Sequence, residues 1–175
     1  TPSIGVINEA IKLTREKFVD LCVIIRPRGG DFVYTDLEVE AMLTDIRAAK
    51  EIGVTCFVLG ALTSDRKLDQ RVMQLLLAAC GEAEVVFHMA FDELAHTDQL
   101  EAIEWLSEQG VARILTRAGS PGDTLEQRFA HYHRLLDAAK GKIQILPGGG
   151  VTLDNRQLFL EQLGVCQLHG TRIVF

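Results

Sequence analysis

Apolar positions along the chain fall into two rhythms that alternate. Short runs rich in β-branched residues recur at Leu21–Arg26, Thr55–Leu59, Glu84–His88, Ala112–Thr116, Lys142–Leu146 and Val165–His169, and each reads as a strand. The first has the composition of a strand buried on both faces. Between them the apolar residues are spaced by three and four. Ile4, Ile7 and Ile11 mark a helix from Pro2 to Lys17, with Thr1 or Ser3 as its cap. Thr35-Asp36-Leu37-Glu38 is a capping-box pattern, followed by Val39, Met42, Leu43, Ile46 and Ala49 on one helical stripe that stops at Gly53. Further helices are predicted over Leu68–Ala79, from Thr97 or Asp98 to Gly110, over Thr124–Lys140, and over Asp154–Leu163.

The order is therefore a helix, then repeated strand–helix pairs, then a strand. That alternation predicts right-handed crossovers and a parallel sheet. A (β/α)₈ barrel, a flavodoxin-like sheet and a Rossmann-like sheet share the pattern. No Gly-x-Gly-x-x-Gly follows the first strand, which weakens the dinucleotide reading. Nearly every strand ends in a polar or glycine cluster, which favours a barrel of the TIM type, where all strand ends converge on one mouth. A barrel needs eight strands and about 250 residues; six readable strands in 175 residues leave it incomplete.

Composition narrows the partners. A single domain, residues 1–175, is expected, with 47% hydrophobic content ample for a core. The net charge of −6 argues against nucleic acid or an anionic membrane. No apolar run is long enough to span a bilayer and no leader is evident, which points to the cytoplasm. Cys22, Cys56, Cys80 and Cys166 are scattered without a Cys-x-x-Cys pair and read as reduced core thiols.

The chemistry concentrates at strand ends. Pro27 ends the first strand, leaving Arg26 and Arg28 beside a Gly-Gly turn and Asp31. Two planar, permanently charged groups there suit a carboxylate or phosphate. His88 and Asp92 follow the third strand and can form an acid–base pair or two metal ligands; the alternative is a backbone-bonded histidine and a turn-capping aspartate. Gly148, Gly149 and Gly150 follow the fifth strand and can offer N–H groups to an anion, or simply make a tight turn. Thr116 ends the fourth strand and His169 the last. His96, His131 and His133 read as solvated, and Trp105 as packing.

Ile24-Ile25-Arg26-Pro27-Arg28-Gly29-Gly30-Asp31-Phe32, with Tyr34 and Asp36, resembles the signature of the CutC family of copper homeostasis proteins. Gly60-Ala61-Leu62-Thr63, Phe87-His88-Met89-Ala90-Phe91-Asp92, Arg113-Ile114-Leu115-Thr116 and Pro147-Gly148-Gly149-Gly150 agree in order, so the likeness runs through the whole chain. It implies a (β/α)₈ barrel truncated at both ends, lacking the first two strands and the closing helix. Met89, where relatives often carry arginine, and Arg117-Ala118, where they often carry serine and glycine, depart from the family pattern. The resemblance implies copper homeostasis by binding or trafficking; copper is implied as a cofactor by the resemblance only, the residues leaving the cofactor unknown, because none of the four cysteines matches a copper ligand and no metal ligand is transferred. The residues themselves favour a pocket for a small anion, lined by Arg26, Arg28, Asp31, Thr116, Gly148, Gly149 and Gly150, with His88, Asp92 and His169 as candidate catalytic groups. An enzyme acting on an anionic or phosphorylated small molecule and a non-catalytic regulatory barrel are the rival readings. The partner expected is a small anion or a copper ion, and a homo-oligomer is compatible with the sequence.

Overall fold

The computed structural model describes residues 1–174. The elements run α1 (Ile4–Lys17), β1 (Cys22–Ile24), α2 (Asp36–Glu51), β2 (Cys56–Leu59), α3 (Gln70–Cys80), β3 (Glu84–Phe87), a 3₁₀ turn (Met89–Glu93), α4 (His96–Glu108), β4 (Arg113–Thr116), α5 (Leu125–Ala139), β5 (Gln144–Pro147) and α6 (Arg156–Leu163). The strands form one sheet in the order β1-β2-β3-β4-β5. Each strand lies beside its predecessor in sequence. A doubly wound sheet reverses its strand order at a switch point, whereas a barrel does not. The sequential order therefore selects the barrel class over the flavodoxin-like and Rossmann-like alternatives.

The chain divides into two compact units, Thr1–Val86 and Phe87–Phe175. In the first, β1 and β2 pair in parallel with Cys22 opposite Cys56 and Ile24 opposite Val58. α2 begins with the predicted capping box: Thr35 accepts from the Glu38 N–H, and Glu38 accepts from the Thr35 N–H. Its Val39, Met42, Leu43, Ile46 and Ala49 are buried, and Val72, Met73, Leu76 and Cys80 form the buried face of the neighbouring α3. β1 is shorter and less covered than the sequence predicts. Val23 and Ile25 are buried, but Cys22 and Ile24, which share the other face of the strand, are exposed.

In the second unit β4 and β5 pair in parallel, with Ile114 opposite Ile145 and Thr116 opposite Pro147. α5 packs on α4, α6 and β5, and its buried face carries Arg128, His131, Tyr132 and Leu135. The predicted strand Val165–His169 does not form. Gln144 donates to Ala112, just before β4, and Gly148 to Thr116 at its end, so by alternation Ile145 and Pro147 turn their backbone groups to the other side. Pro147 has no N–H to offer there. Its carbonyl accepts from the His169 N–H at 2.8 Å, and beyond that the segment contributes only a bridge between Thr152 and Arg172. Two further expectations need correction. Cys22 and Cys166 are exposed, so only Cys56 and Cys80 are core thiols. His131 is buried rather than solvated: it shares a helical face with Arg128, three residues before it, and Leu135, four residues after it.

Candidate functional site

In the first unit the segment after β1 is built around two arginines with different duties. Arg28 is braced on every side. Its Nε donates to Glu38 Oε1 at 2.5 Å, one terminal nitrogen to Asp31 Oδ1 at 2.9 Å and the Val33 carbonyl at 2.7 Å, and the other to the carbonyls of Gly29 and Asp31. The Arg28 hydrogen bond is the main reason the Asp31 carboxyl lies below its usual range, with the Val33 N–H second. Glu38 is held low first by the Thr35 N–H and then by Arg28. Arg28 and Asp31 thus fasten the loop to itself and to the start of α2.

Arg26 is different. Its guanidinium lies over the Phe32 ring, 4.4 Å from the centroid, and one terminal nitrogen donates to the Gly30 carbonyl at 2.5 Å. Gly30 holds φ +85°, the left-handed conformation that presents this carbonyl; Gly29 has no such constraint. The Arg26 Nε is buried and has no hydrogen-bond partner among the described residues. The Tyr34 hydroxyl is in the same condition. Burial pushes the Tyr34 phenol above its usual value, while Arg26 pulls it back, first by its charge and then by its closeness to the hydroxyl as a side-chain donor, although the two do not meet in a well-formed hydrogen bond. The Phe32 carbonyl accepts from the Leu62 N–H at 2.9 Å, tying this loop to the one after β2.

The second unit spends its polar groups on one another. Asp92, in the 3₁₀ turn, accepts from the Thr116 hydroxyl at 2.5 Å and from the Arg117 N–H on both carboxylate oxygens, at 3.1 and 2.9 Å. Burial pushes its carboxyl up, and these donors pull it partly back. Tyr132 donates to the Thr116 carbonyl at 2.8 Å and accepts from the Gly148 N–H at 3.3 Å. Arg128 donates to the carbonyls of Arg117 and Gly148, both at 2.9 Å. The glycine triplet is a packing device here. A Cβ on Gly148 would stand 2.7 Å from Leu115 Cδ1, and one on Gly149 would stand 2.8–2.9 Å from Arg117 Nε and Cβ. Gly150 gives its carbonyl to Asn155 Nδ2 at 2.9 Å. His88 is buried, and its Nδ1 accepts from the Ala90 N–H at 3.2 Å, capping the 3₁₀ turn. His169 is exposed and lies against Gly148.

The strand-end residues therefore do not act alike. The sequence drew attention to Arg26, Arg28, Asp31, Thr116 and the glycines, and missed Tyr34, Arg117, Arg128 and Tyr132. Arg128 and Tyr132 carried a usable signal, since they stand four apart on the face that buries Leu135. No helix among the described residues is long and apolar enough to cross a membrane.

A parallel sheet with sequential strand order and polar or glycine clusters following its strands defines a β/α protein of the barrel class. A deoxyribose-phosphate aldolase fold from Coccidioides immitis shares that fold at a TM-score of 0.70 and 12% identity, over 96% of this chain and 67% of that one. The chain belongs to the CutC family, whose model matches residues 1–174. A CutC family protein of Enterococcus faecalis is 44% identical over 174 residues, covering 99% of this chain and 83% of the relative. A human protein named copper homeostasis protein cutC homolog is 42% identical over 169 residues, covering 97% of this chain and 59% of the relative. The crystal structure of CutC from Streptococcus agalactiae superposes at a TM-score of 0.95 with 43% identity, over 99% of this chain and 83% of that one.

Copper homeostasis raises the question of whether these residues fit a copper ion. Copper(I) favours thiolate and thioether ligands. Among the described residues no three of His, Cys, Asp or Glu gather where they could hold a metal ion. Cys22 and Cys56 bring two sulfurs together, but among the described residues no third His, Cys, Asp or Glu joins them. The donors present do not fit a copper site.

Proposed function

We propose that this chain serves copper homeostasis, as its human relative is named, by recognising a small anion beside β1 rather than by ligating the metal. The observation that carries this is the pair of buried, partnerless donors, Arg26 Nε and the Tyr34 hydroxyl. Leaving a buried donor unsatisfied costs about 1–3 kcal/mol, and more when the group is charged. A carboxylate or phosphate oxygen reaching both relieves that cost, and the oxygen is negative where Arg26 is positive. Phe32 supports the guanidinium from its face, so the fork is oriented before the ligand arrives. Arg28 and Asp31 act as the braces that fix the loop, not as the contact.

Calorimetry of the chain against phosphate, sulfate, citrate and copper(I) tests this. Saturable anion binding is expected, weakened in Arg26→Ala by roughly 1.5–3 kcal/mol, the worth of one charge-assisted hydrogen bond. Tight copper(I) binding that survives Arg26→Ala, with no affinity for any anion, would sink the reading.

A further inference from the structure

The histidines of the second unit do not share one environment. His131 is 8% exposed on the buried face of α5, and its Nε2 meets Gln99 Oε1 at 2.7 Å. Gln99 is itself buried on α4. Its Nε2 donates to the carbonyls of Phe91 and Leu94, at 3.1 and 3.4 Å, so both amide protons are engaged and Oε1 is left to accept. That network assigns the proton on His131 to Nε2. The other ring nitrogen, Nδ1, is then a bare acceptor, buried and without a partner among the described residues. The ring of His96, the first residue of α4, stacks on His131 with centroids 4.1 Å apart and planes at 25°.

The charged groups around His131 favour its neutral form. His96 stands against it from α4, Arg134 lies on α5 itself, and Asp123, before α5, is the one carboxylate acting the other way. Arg128 on the same face is committed to the carbonyls of Arg117 and Gly148. β5 brings no charged side chain, and Arg156 and Glu161 of α6 are bonded to the Ile173 carbonyl and to Gln157. At the 3₁₀ turn, Asp92 is held by Thr116 and Arg117, His88 caps the Ala90 N–H, and Glu93 is exposed. Burial first, then His96 and Arg134, hold the His131 imidazole below its ordinary 6.5.

We propose that His131, Gln99 and His96 form a proton-sensitive latch, which fastens the 3₁₀ turn and its Asp92 to α4 and α5 near neutral pH and lets the turn go in acid. A proton taken up at Nδ1 finds no acceptor in place, and it puts a buried positive charge against a second imidazole and Arg134. The imidazolium relieves that by moving towards solvent, which breaks its bond to Gln99. Gln99 can then turn its amide, and the carbonyls of Phe91 and Leu94 lose the donor they share. Asp92 and Glu93 lie between those two carbonyls in the chain. The unfolded chain binds the His131 proton more readily than the folded one. Stability from neutral His131 is therefore complete above 6.5 and is lost as pH falls through 6.5 towards the lower folded value. Asp92 acts in the opposite sense. None of these groups belongs to the Arg26 loop, so the latch stands or falls apart from the anion reading.

The test is NMR of the ¹⁵N-labelled full chain, following ring nitrogens and amide exchange across about pH 8 to 5, where histidine changes charge. At the upper end His131 is expected as the Nε2–H tautomer. Its titration midpoint should lie below 6.5. The protection factor of the Leu94 amide, which is bonded to the Phe91 carbonyl, should fall with that same midpoint. His96→Ala, at an exposed position, removes the stacked neighbour and should move the His131 midpoint up. His131→Gln offers Gln99 a donor that does not titrate, and should abolish the pH response of Leu94 while Asp92 and His88 remain. If this core variant does not fold, the native chain and His96→Ala still decide. A His131 midpoint at or above 6.5, a neutral ring carrying its proton on Nδ1, or Leu94 protection that ignores the His131 titration would each overturn the proposal. So would an unmoved midpoint in His96→Ala, or an unchanged pH response in folded His131→Gln.

Discussion

The loop after β1 and the turn after β5 look alike in sequence and behave oppositely in the fold. Both follow a strand, both contain adjacent glycines, and both have arginines close by. In the turn after β5 every polar group named is engaged: Arg128 and Tyr132 take up the backbone of Thr116, Arg117 and Gly148, and the space beside the glycines is filled by Leu115 and Arg117. In the loop after β1 one arginine is equally committed, while the other keeps a buried Nε without a partner next to a buried hydroxyl in the same state. The difference teaches that arginines and glycines at a strand end announce close packing as readily as ligand binding. Counting partners separates the two.

The largest effect is expected where a glycine is needed for packing. Gly149→Ala places a methyl against the Arg117 side chain at φ +66° and should cost about 2–4 kcal/mol. Gly29→Ala, with nothing within 4 Å and no positive φ, should leave stability nearly unchanged. Urea midpoints at unchanged slope check both. Equal costs would erase the contrast between the two turns.

Tyr132→Phe comes next. It strips the hydroxyl that serves the Thr116 carbonyl and the Gly148 N–H in a fully buried position, and should destabilise by about 1–3 kcal/mol. A neutral result in thermal unfolding would mean that the bond from the Gly148 N–H to the Thr116 carbonyl satisfies that backbone by itself.

How much of this was legible beforehand depends on how local the cause is. The capping box at Thr35 and Glu38 and the stripe from Val39 to Ala49 act within one helix and were readable from spacing alone. The missing strand at Val165–His169 was not, because its failure arises on its neighbour, where Pro147 lacks the donor a ladder needs. His131 was misjudged because its spacing to His133 was weighed instead of its spacing to Leu135. It is buried against Gln99, to which its Nε2 is bonded at 2.7 Å, and stacks on His96 with centroids 4.1 Å apart. The candidate site was legible in residue type but not in duty. Arg26 and Arg28 are two residues apart, and only the positions of Glu38 and Asp31 decide which of them is spoken for.

The smallest effect is electrostatic. Burial raises the Asp92 carboxyl above its ordinary 3.8, so the folded chain binds its proton more readily than the unfolded chain does. Stability from this group is complete below 3.8 and is lost as pH rises through the raised folded value. Relative to Asp92→Asn, the native chain should therefore gain stability on acidification through that window. Denaturation of both across pH measures it; a difference independent of pH would show that the Thr116 and Arg117 donors cancel burial, and a loss of stability on acidification that they outweigh it.

The most direct measurement follows the arginine side chains themselves. Phosphate is titrated into the ¹⁵N-labelled chain while the Nε–H resonances of Arg26 and Arg28 are recorded. The Arg26 signal should shift saturably, because its Nε has no partner to give up. The Arg28 signal, bonded to Glu38, should stay in place. Movement of Arg28 with Arg26 unmoved, or of neither, would contradict the account.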